Sequence, residues 1–382
     1  FIPYIANKLA EIYDYLEFVN SNSKKEKAEF IINWIEQLNK DLKILDELRD
    51  FNRTYTSIAK SFDVSPTYVV NLFDKKVDLK RLELPELICV DEVYSKKLSY
   101  HHYCFTIYDP IGHKIIDVLD SRHQEDLYGY FGNIPVKERN NVKYFSMDLY
   151  ESYRIIAKKC FPNAIICADS FHVIKNLTQY FHKIRIRIMK SYSYLKHQND
   201  TYYWLYKKYW KLLSKDTSKI SHRKFKVSKT NQFMSCAEII DNMLTIDKDL
   251  KLAYELLHEY RTFNAKATLD NAAEWLDELT LRFKSSNISE CIQSGILLSN
   301  WRNEIINSFN RVNGIRVSNG PMERANRDIK TLFRMSFGSS NFTRMRNRIM
   351  YTMNVDSPIL YNRKPITNKN NGRPRGHYRK HK

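Results

Sequence analysis

Three acidic residues stand where a hard divalent cation could be held. Asp91 closes the apolar run Ile88-Cys89-Val90, Asp148 closes Tyr144-Phe145-Ser146-Met147, and Glu323 follows Ser318-Asn319-Gly320-Pro321-Met322. Carboxylate oxygens suit Mg2+ or Mn2+, ions that keep exchangeable waters and polarise phosphoryl oxygens. Each acid alone has a simpler role. Asp148 with Glu151 three residues on fits a capping box, Asp91 could end a strand, and Glu323 could complement a helix dipole. What sets them apart is their order, two strand-end acids and then one at a helix start.

The elements that must position them are legible as changes of period. Apolar runs predict strands at 87–90, 103–108 and 114–119, with Asp109-Pro110-Ile111-Gly112 as the turn between the last two. A helix at 124–131, a strand at 142–147, a helix at 152–160, a strand at 164–168 and a helix from Phe171 follow. The order βββαβαβα is that of an α/β, ribonuclease H-like core with a mixed sheet, and the absence of a G-x-G-x-x-G turn speaks against a dinucleotide fold. In such a core the first and fourth strands are neighbours, so Asp91 and Asp148 meet. The third acid must come from a later helix. Gly320 and Pro321 mark its start and place Glu323 in the first turn, where the dipole favours an ionised carboxylate. Met322, Ala325, Ile329, Leu332 and Phe333 form the expected buried stripe. Asn326, Arg327, Lys330 and Arg334 are expected on the face of Glu323, and with Arg324 they give the acid a basic setting suited to a phosphodiester.

Around this core the chain divides into a helical module (1–80), the first part of the core (81–190), an all-helical insertion (191–310), the completion of the core (311–356) and a basic tail (357–382). The module shows helical spacing at Ile5, Leu9, Ile12 and Leu16 and again at Ile31, Trp34, Ile35 and Leu38. Within it residues 51–75 resemble a helix-turn-helix, with Ser65 as cap, Pro66 at the first helical position, and Thr67, Tyr68 and Asn71 facing outward as base readers. Its turn lacks glycine, and residues 1–50 hold ten acids against seven bases, so a packing or dimerisation role competes. In the insertion, Tyr202, Tyr203, Trp204, Tyr206, Tyr209 and Trp210 are expected to be core more than base-stacking surface.

The 62 Lys and Arg against 43 Asp and Glu leave a net charge of +19, of which the last twenty residues supply eight bases and no acid. Most of the excess therefore lies elsewhere, and it attracts polyanions, nucleic acid first. No apolar run reaches the roughly 20 residues of a membrane-spanning helix. The six cysteines form no C-x-x-C pair and mostly lie in apolar runs, so buried thiols in a reducing cytoplasm are expected. Phe1 in place of Met leaves room for an upstream module.

With these residues in view, the chain resembles the ISL3 family of bacterial insertion-sequence transposases, a DDE group with a ribonuclease H-like catalytic core. The resemblance covers most of residues 50–352. It rests on Val90-Asp91-Glu92, the Arg122 region, Ser146-Met147-Asp148 with Tyr153, and Phe161-Pro162-Asn163-Ala164 leading to Ala168-Asp169-Ser170-Phe171-His172-Val173-Ile174-Lys175-Asn176. Ser318-Asn319-Gly320-Pro321-Met322-Glu323, Phe337-Gly338 and Asn341-Phe342 complete it. It implies metal-dependent cutting of DNA at element ends and joining of the 3′-hydroxyl to target DNA. Two Mg2+ or Mn2+ ions are implied, Asp91 bridging both while Asp148 and Glu323 hold one each. Terminal inverted repeats and target DNA are the implied partners, with a dimer or larger assembly to pair two ends. Arg122, Arg324, Arg327, Lys330 and Arg334 are the expected DNA contacts. Family members often begin with a cysteine-rich zinc segment, but no cysteine precedes Cys89, so no zinc site is expected here. Asp169 and His172 are either a fourth ligand and a phosphate contact or a helix cap and its local partner, and Asp169 rivals Asp148 as second acid. A regulator or scaffold that binds DNA without cutting, and a nuclease that never joins, are the alternatives.

Overall fold

In the computed structural model, residues 24–95, 98–99, 102–194, 200–336 and 340–355 are described. The expectations for Ile5 to Leu16, for Phe337-Gly338 and for the basic tail lie outside them. Helices α1 (Lys24–Glu47), α2 (Tyr55–Ser61) and α3 (Pro66–Lys76) come first. Ser65 caps α3 by accepting the Tyr68 N–H, and Asp63 makes the preceding turn without glycine by adopting a φ of 49°.

Strands β1 (Leu87–Tyr94), β2 (Tyr103–Asp109) and β3 (Lys114–Leu119) form an antiparallel meander. Helices α4 (Gln124–Gly132) and α5 (Val136–Asn140), β4 (Tyr144–Met147), α6 (Glu151–Cys160), β5 (Ile165–Ala168) and α7 (Ser170–Tyr194) follow. The sheet order is β3-β2-β1-β4-β5, with β1, β4 and β5 parallel. This mixed α/β architecture is consistent with a ribonuclease H-like transposase fold.

Period-two alternation sends the two sides of β1 into different cores. Ile88 and Val90 join Phe145, Met147 and the buried faces of α4, α6 and α7. Cys89 and Val93 join Tyr108, Ile115 and Val118 under a helical layer. That layer holds α1, α2, α3 and two late helices, α14 (Gly320–Met335) and α15 (Phe342–Met353). Between β5 and α14 run α8 (Asp200–Lys208), α9 (Cys236–Ile246), α10 (Lys248–Lys266), α11 (Ala272–Lys284), α12 (Ser289–Asn300) and α13 (Arg302–Asn307). They extend the first core. Tyr206 is fully buried there and donates to the Met243 carbonyl at 2.8 Å, so this aromatic packs and does not face a ligand. Two minimal hairpins, β6 (Phe225–Lys226) with β7 (Phe233–Met234) and β8 (Arg311–Val312) with β9 (Ile315–Arg316), interrupt the helices, the first of them within the stretch expected to be all-helical. Among the described residues no helix is long and apolar enough to cross a membrane.

Two local expectations need correction. Asp91 does not follow its strand; β1 runs on to Tyr94 because β2 keeps pairing with it, Asp91 opposite Thr106, after the last β1–β4 pair at Cys89 and Ser146. The capping box of Asp148 and Glu151 does not form, because α6 starts two residues late for it, with Tyr150 at the cap and no side-chain cap bond.

The edge strand β3 is closed by the chain's own C-terminal side. Asn354, 3% exposed, donates to the Ile115 carbonyl at 2.7 Å and accepts its N–H at 2.9 Å. Replacing it leaves a buried donor and a buried acceptor without partners, each costing about 1–3 kcal/mol. Asn354→Leu is therefore expected to lower the unfolding free energy by roughly 2–5 kcal/mol in urea titration, and an unchanged midpoint would contradict this account of the edge.

Candidate active site

The parallel register puts three acids in one row. Cys89 lies opposite Ser146, and Ser146 opposite Cys167. Two residues further along each strand, on the same face of the sheet, stand Asp91, Asp148 and Asp169. Neighbouring strands are about 4.8 Å apart, so these carboxylates crowd one another. The Asp169 N–H still donates to the Met147 carbonyl at 2.8 Å, which keeps the ladder closed up to this row.

Helix α14 is brought to the same face by its apolar stripe. Met322, Ala325, Ile329 and Leu332 are buried in the cluster that holds Cys89. Polar bonds then fix its start. Asn319, 1% exposed, donates through Nδ2 to the Val90 carbonyl at 3.1 Å, and its backbone N–H reaches Asp169 Oδ1 at 3.2 Å. In the second turn of the helix, Asn326 Nδ2 donates to Asp91 Oδ2 at 2.6 Å. Glu323 sits half-buried in the first turn between these two anchors. Asn326 was expected beside the exposed bases, but its bond to Asp91 draws it into the buried side. Arg324, Arg327, Lys330 and Arg334 are exposed along the helix.

Charge balance in the row is poor. Burial, with Asp148 adding to it, pushes the Asp91 carboxyl up to about 7, against the opposing pull of the Glu92 N–H and His172. Burial also raises Asp148, although His172 pulls the other way. His172 itself would be lowered by burial, yet the two carboxylates beside it, Asp148 and Asp169, win and lift it to about 10. Its Nδ1 lies 2.7 Å from Asp148 Oδ1 and 2.9 Å from Asp169 Oδ2. A single N–H cannot serve both, and it is directed at Asp169. Asp148 Oδ1 is left buried without a hydrogen bond.

Among the described residues, Asp148, Asp169 and His172 offer ligand atoms within 4.8 Å of one another. Asp91 and Glu323 fall outside that tight group. The structure thus brings Asp91 and Asp148 to adjacent positions and Glu323 to a helix start on their face, without drawing all three to the span of one ion. A divalent cation fits this donor set, since three carboxylates face a single imidazolium and a buried oxygen of Asp148 has no partner.

Beside the row, Glu92 accepts from Arg122 and from the Tyr153 hydroxyl, the latter at 2.5 Å. The Arg122 guanidinium also stacks 4.1 Å from the Tyr103 ring centre, so it is held within the protein. On α3, Thr67 and Asn71 are exposed, whereas the Tyr68 hydroxyl donates to Asp41 at 2.5 Å and accepts from Gln37 at 2.7 Å. The residues that sequence reasoning missed are Asn319 as the clamp and Asn326 as the partner of Asp91. Their signal was two amides at spacing seven on one helix, astride the acid.

The model of a transposase family, the DDE transposases of the ISL3 type, matches residues 88–349, from the second residue of β1 into α15. No curated protein matches the chain.

Proton linkage follows from the two raised groups. A folded pKa above the unfolded one gives stability at low pH that is lost as pH rises through the folded value. For Asp91 the loss runs from about 4 to about 7, and for His172 from about 6.5 to about 10. Both make the metal-free fold weaker toward high pH, and a cation that needs ionised carboxylates relieves this. Added Mn2+ is expected to raise the melting temperature more at pH near 8 than at pH near 5.5, as read by scanning calorimetry. An equal shift at both would sink the acid-centre assignment.

Proposed function

This chain belongs to the ISL3 family of transposases, and from that premise we propose that it cuts DNA at insertion-sequence ends and joins the freed 3′-hydroxyl to target DNA, with Asp91, Asp148 and Glu323 as its catalytic acids. The observation that carries the reading is the register that sets Asp91 beside Asp148, with Glu323 on a helix bonded to both Val90 and Asp91. These acids would hold two Mg2+ or Mn2+ ions, which when bound polarise the phosphodiester and activate the attacking hydroxyl.

The chain's own groups have separable tasks. Asp91 and Asp148 supply negative charge at the mouth left where β4 ends and β1 continues. Asp169 spends one oxygen on Asn319 and the other on His172, which supports an anchoring role and leaves Asp148 as the second acid. His172 neutralises part of the carboxylate charge when no cation is bound. The exposed bases Arg324, Arg327, Lys330 and Arg334 hold backbone phosphates next to the acids, a contribution that weakens with salt. Arg122, paired to Glu92, keeps the end of β1 in place more than it reaches for DNA. With Tyr68 engaged, base reading by the module falls to Thr67 and Asn71. The strand order supports a ribonuclease H-like core interrupted between 191 and 310 by the helical insertion. Two element ends must be held together, so the working form is a dimer or larger.

Strand transfer with paired end DNA and Mg2+ or Mn2+ tests this directly. Glu323→Gln is expected to lower both cutting and joining by about 100-fold or more, with binding of end DNA retained. Activity that survives the change removes Glu323 from the trio, cutting without joining makes the protein a nuclease, and binding with neither makes it a scaffold.

A further inference from the structure

We propose that Asn326 is a positioning residue of the acid centre, holding the Asp91 carboxylate in one orientation and locking the Glu323 helix to β1 through the same bond. The proposal rests on the reading of Asp91 and Glu323 given above.

Both oxygens of Asp91 are oriented. Oδ1 accepts the Glu92 N–H at 2.7 Å and Oδ2 accepts Asn326 Nδ2 at 2.6 Å. A carboxylate has about four acceptor sites, so two fixed donors set its plane and still leave lone pairs for a cation. The donor is neutral. A lysine or arginine in that place would compete with the ion for Asp91, whereas an amide orients the charge without cancelling it.

Asn326 stands three residues beyond Glu323, a helical neighbour, so the contact that orients one acid also fixes the height of the other. The side chain is 5% exposed, and its amide oxygen is buried with no partner. Burying an amide oxygen in that way is unfavourable. Its neighbours in the stripe, Met322, Ala325, Ile329 and Leu332, are apolar, and an apolar residue would suit the stripe without this penalty. The amide's return is the bond to Asp91.

The test is calorimetric titration of Mn2+ into the full-length chain without DNA, alongside thermal unfolding of the metal-free protein and strand-transfer kinetics. Asn326→Leu is expected to weaken Mn2+ binding by about 10- to 100-fold, to lower kcat with KM for end DNA unchanged, and to leave the metal-free protein folded, with a single cooperative thermal transition. Asn326→Ala serves the same purpose if the leucine variant does not fold. Asn326→Asp is expected to weaken binding as well, despite its added carboxylate, because an aspartate cannot donate to Asp91. Parental Mn2+ affinity in the leucine or alanine variant overturns the proposal. Tighter binding by Asn326→Asp also overturns it, since the residue would then be a ligand. Asp91→Asn separates the two levels: if it too binds Mn2+ like the parent, the acid centre itself is misassigned.

Discussion

Parallel pairing across β1, β4 and β5 ends in a row of like charges. Each strand arrives with small or apolar residues paired at Cys89, Ser146 and Cys167, and two steps later each presents an aspartate on the same face. Carboxylates at strand spacing repel one another and are costly to bury together. The surrounding structure supplies counter-donors: His172 toward Asp148 and Asp169, the Glu92 N–H and Asn326 toward Asp91, and the Asn319 N–H toward Asp169. Only one of these is a cation. The row therefore stays short of positive charge, a deficit that a divalent ion would offset.

That arrangement depends on packing far from the row. α14 reaches the sheet because its apolar stripe shares a core with β1, β2, β3 and the helices of the N-terminal module. α15 ties the same layer to the module through Arg344 on Asp74 and Tyr351 on the Leu45 carbonyl, and to the sheet through Arg346 on Asp117. Module, late helices and sheet edge thus form one packed layer.

Much of this was legible in the chain because periodicity survives folding. The three leading strands, the alternating helices and strands after them, and the helix start at Gly320 and Pro321 were all marked by local chemistry that the tertiary structure did not override. What escaped notice depended on partners distant in sequence. Nothing near Asp91 announces that β2 will carry its strand on to Tyr94, and nothing near Asn326 announces a bond across 235 residues to Asp91. An amide on a helix otherwise lined with arginines reads as surface. Tyr68 is similar, since the helical pattern set it facing outward while Asp41 and Gln37 on α1 took its hydroxyl. The convergence of Asp148, Asp169 and His172 was half visible, as three residues at two strand ends, but the placing of one imidazole between two carboxylates depends on the parallel pairing of β4 with β5.

The choice between Asp148 and Asp169 then becomes a question of unspent oxygen atoms. Asp169 lies one strand further from Asp91, is 1% exposed, and has both oxygens engaged, one by a backbone N–H and one by His172. Displacing either bond to bind an ion would loosen the start of α14, which the Asn319 clamp secures. Asp148 lies on the strand adjacent to Asp91, with a buried oxygen near an imidazolium but no hydrogen bond to it. A cation at Asp148 would take up existing acceptor capacity, whereas one at Asp169 would have to take apart the contact that positions Glu323. The same reasoning gives His172 its place: it stands close enough to Asp148 to offset charge while the site is empty, and its proton is bonded to Asp169, so Asp148 can exchange partners without disturbing the anchor.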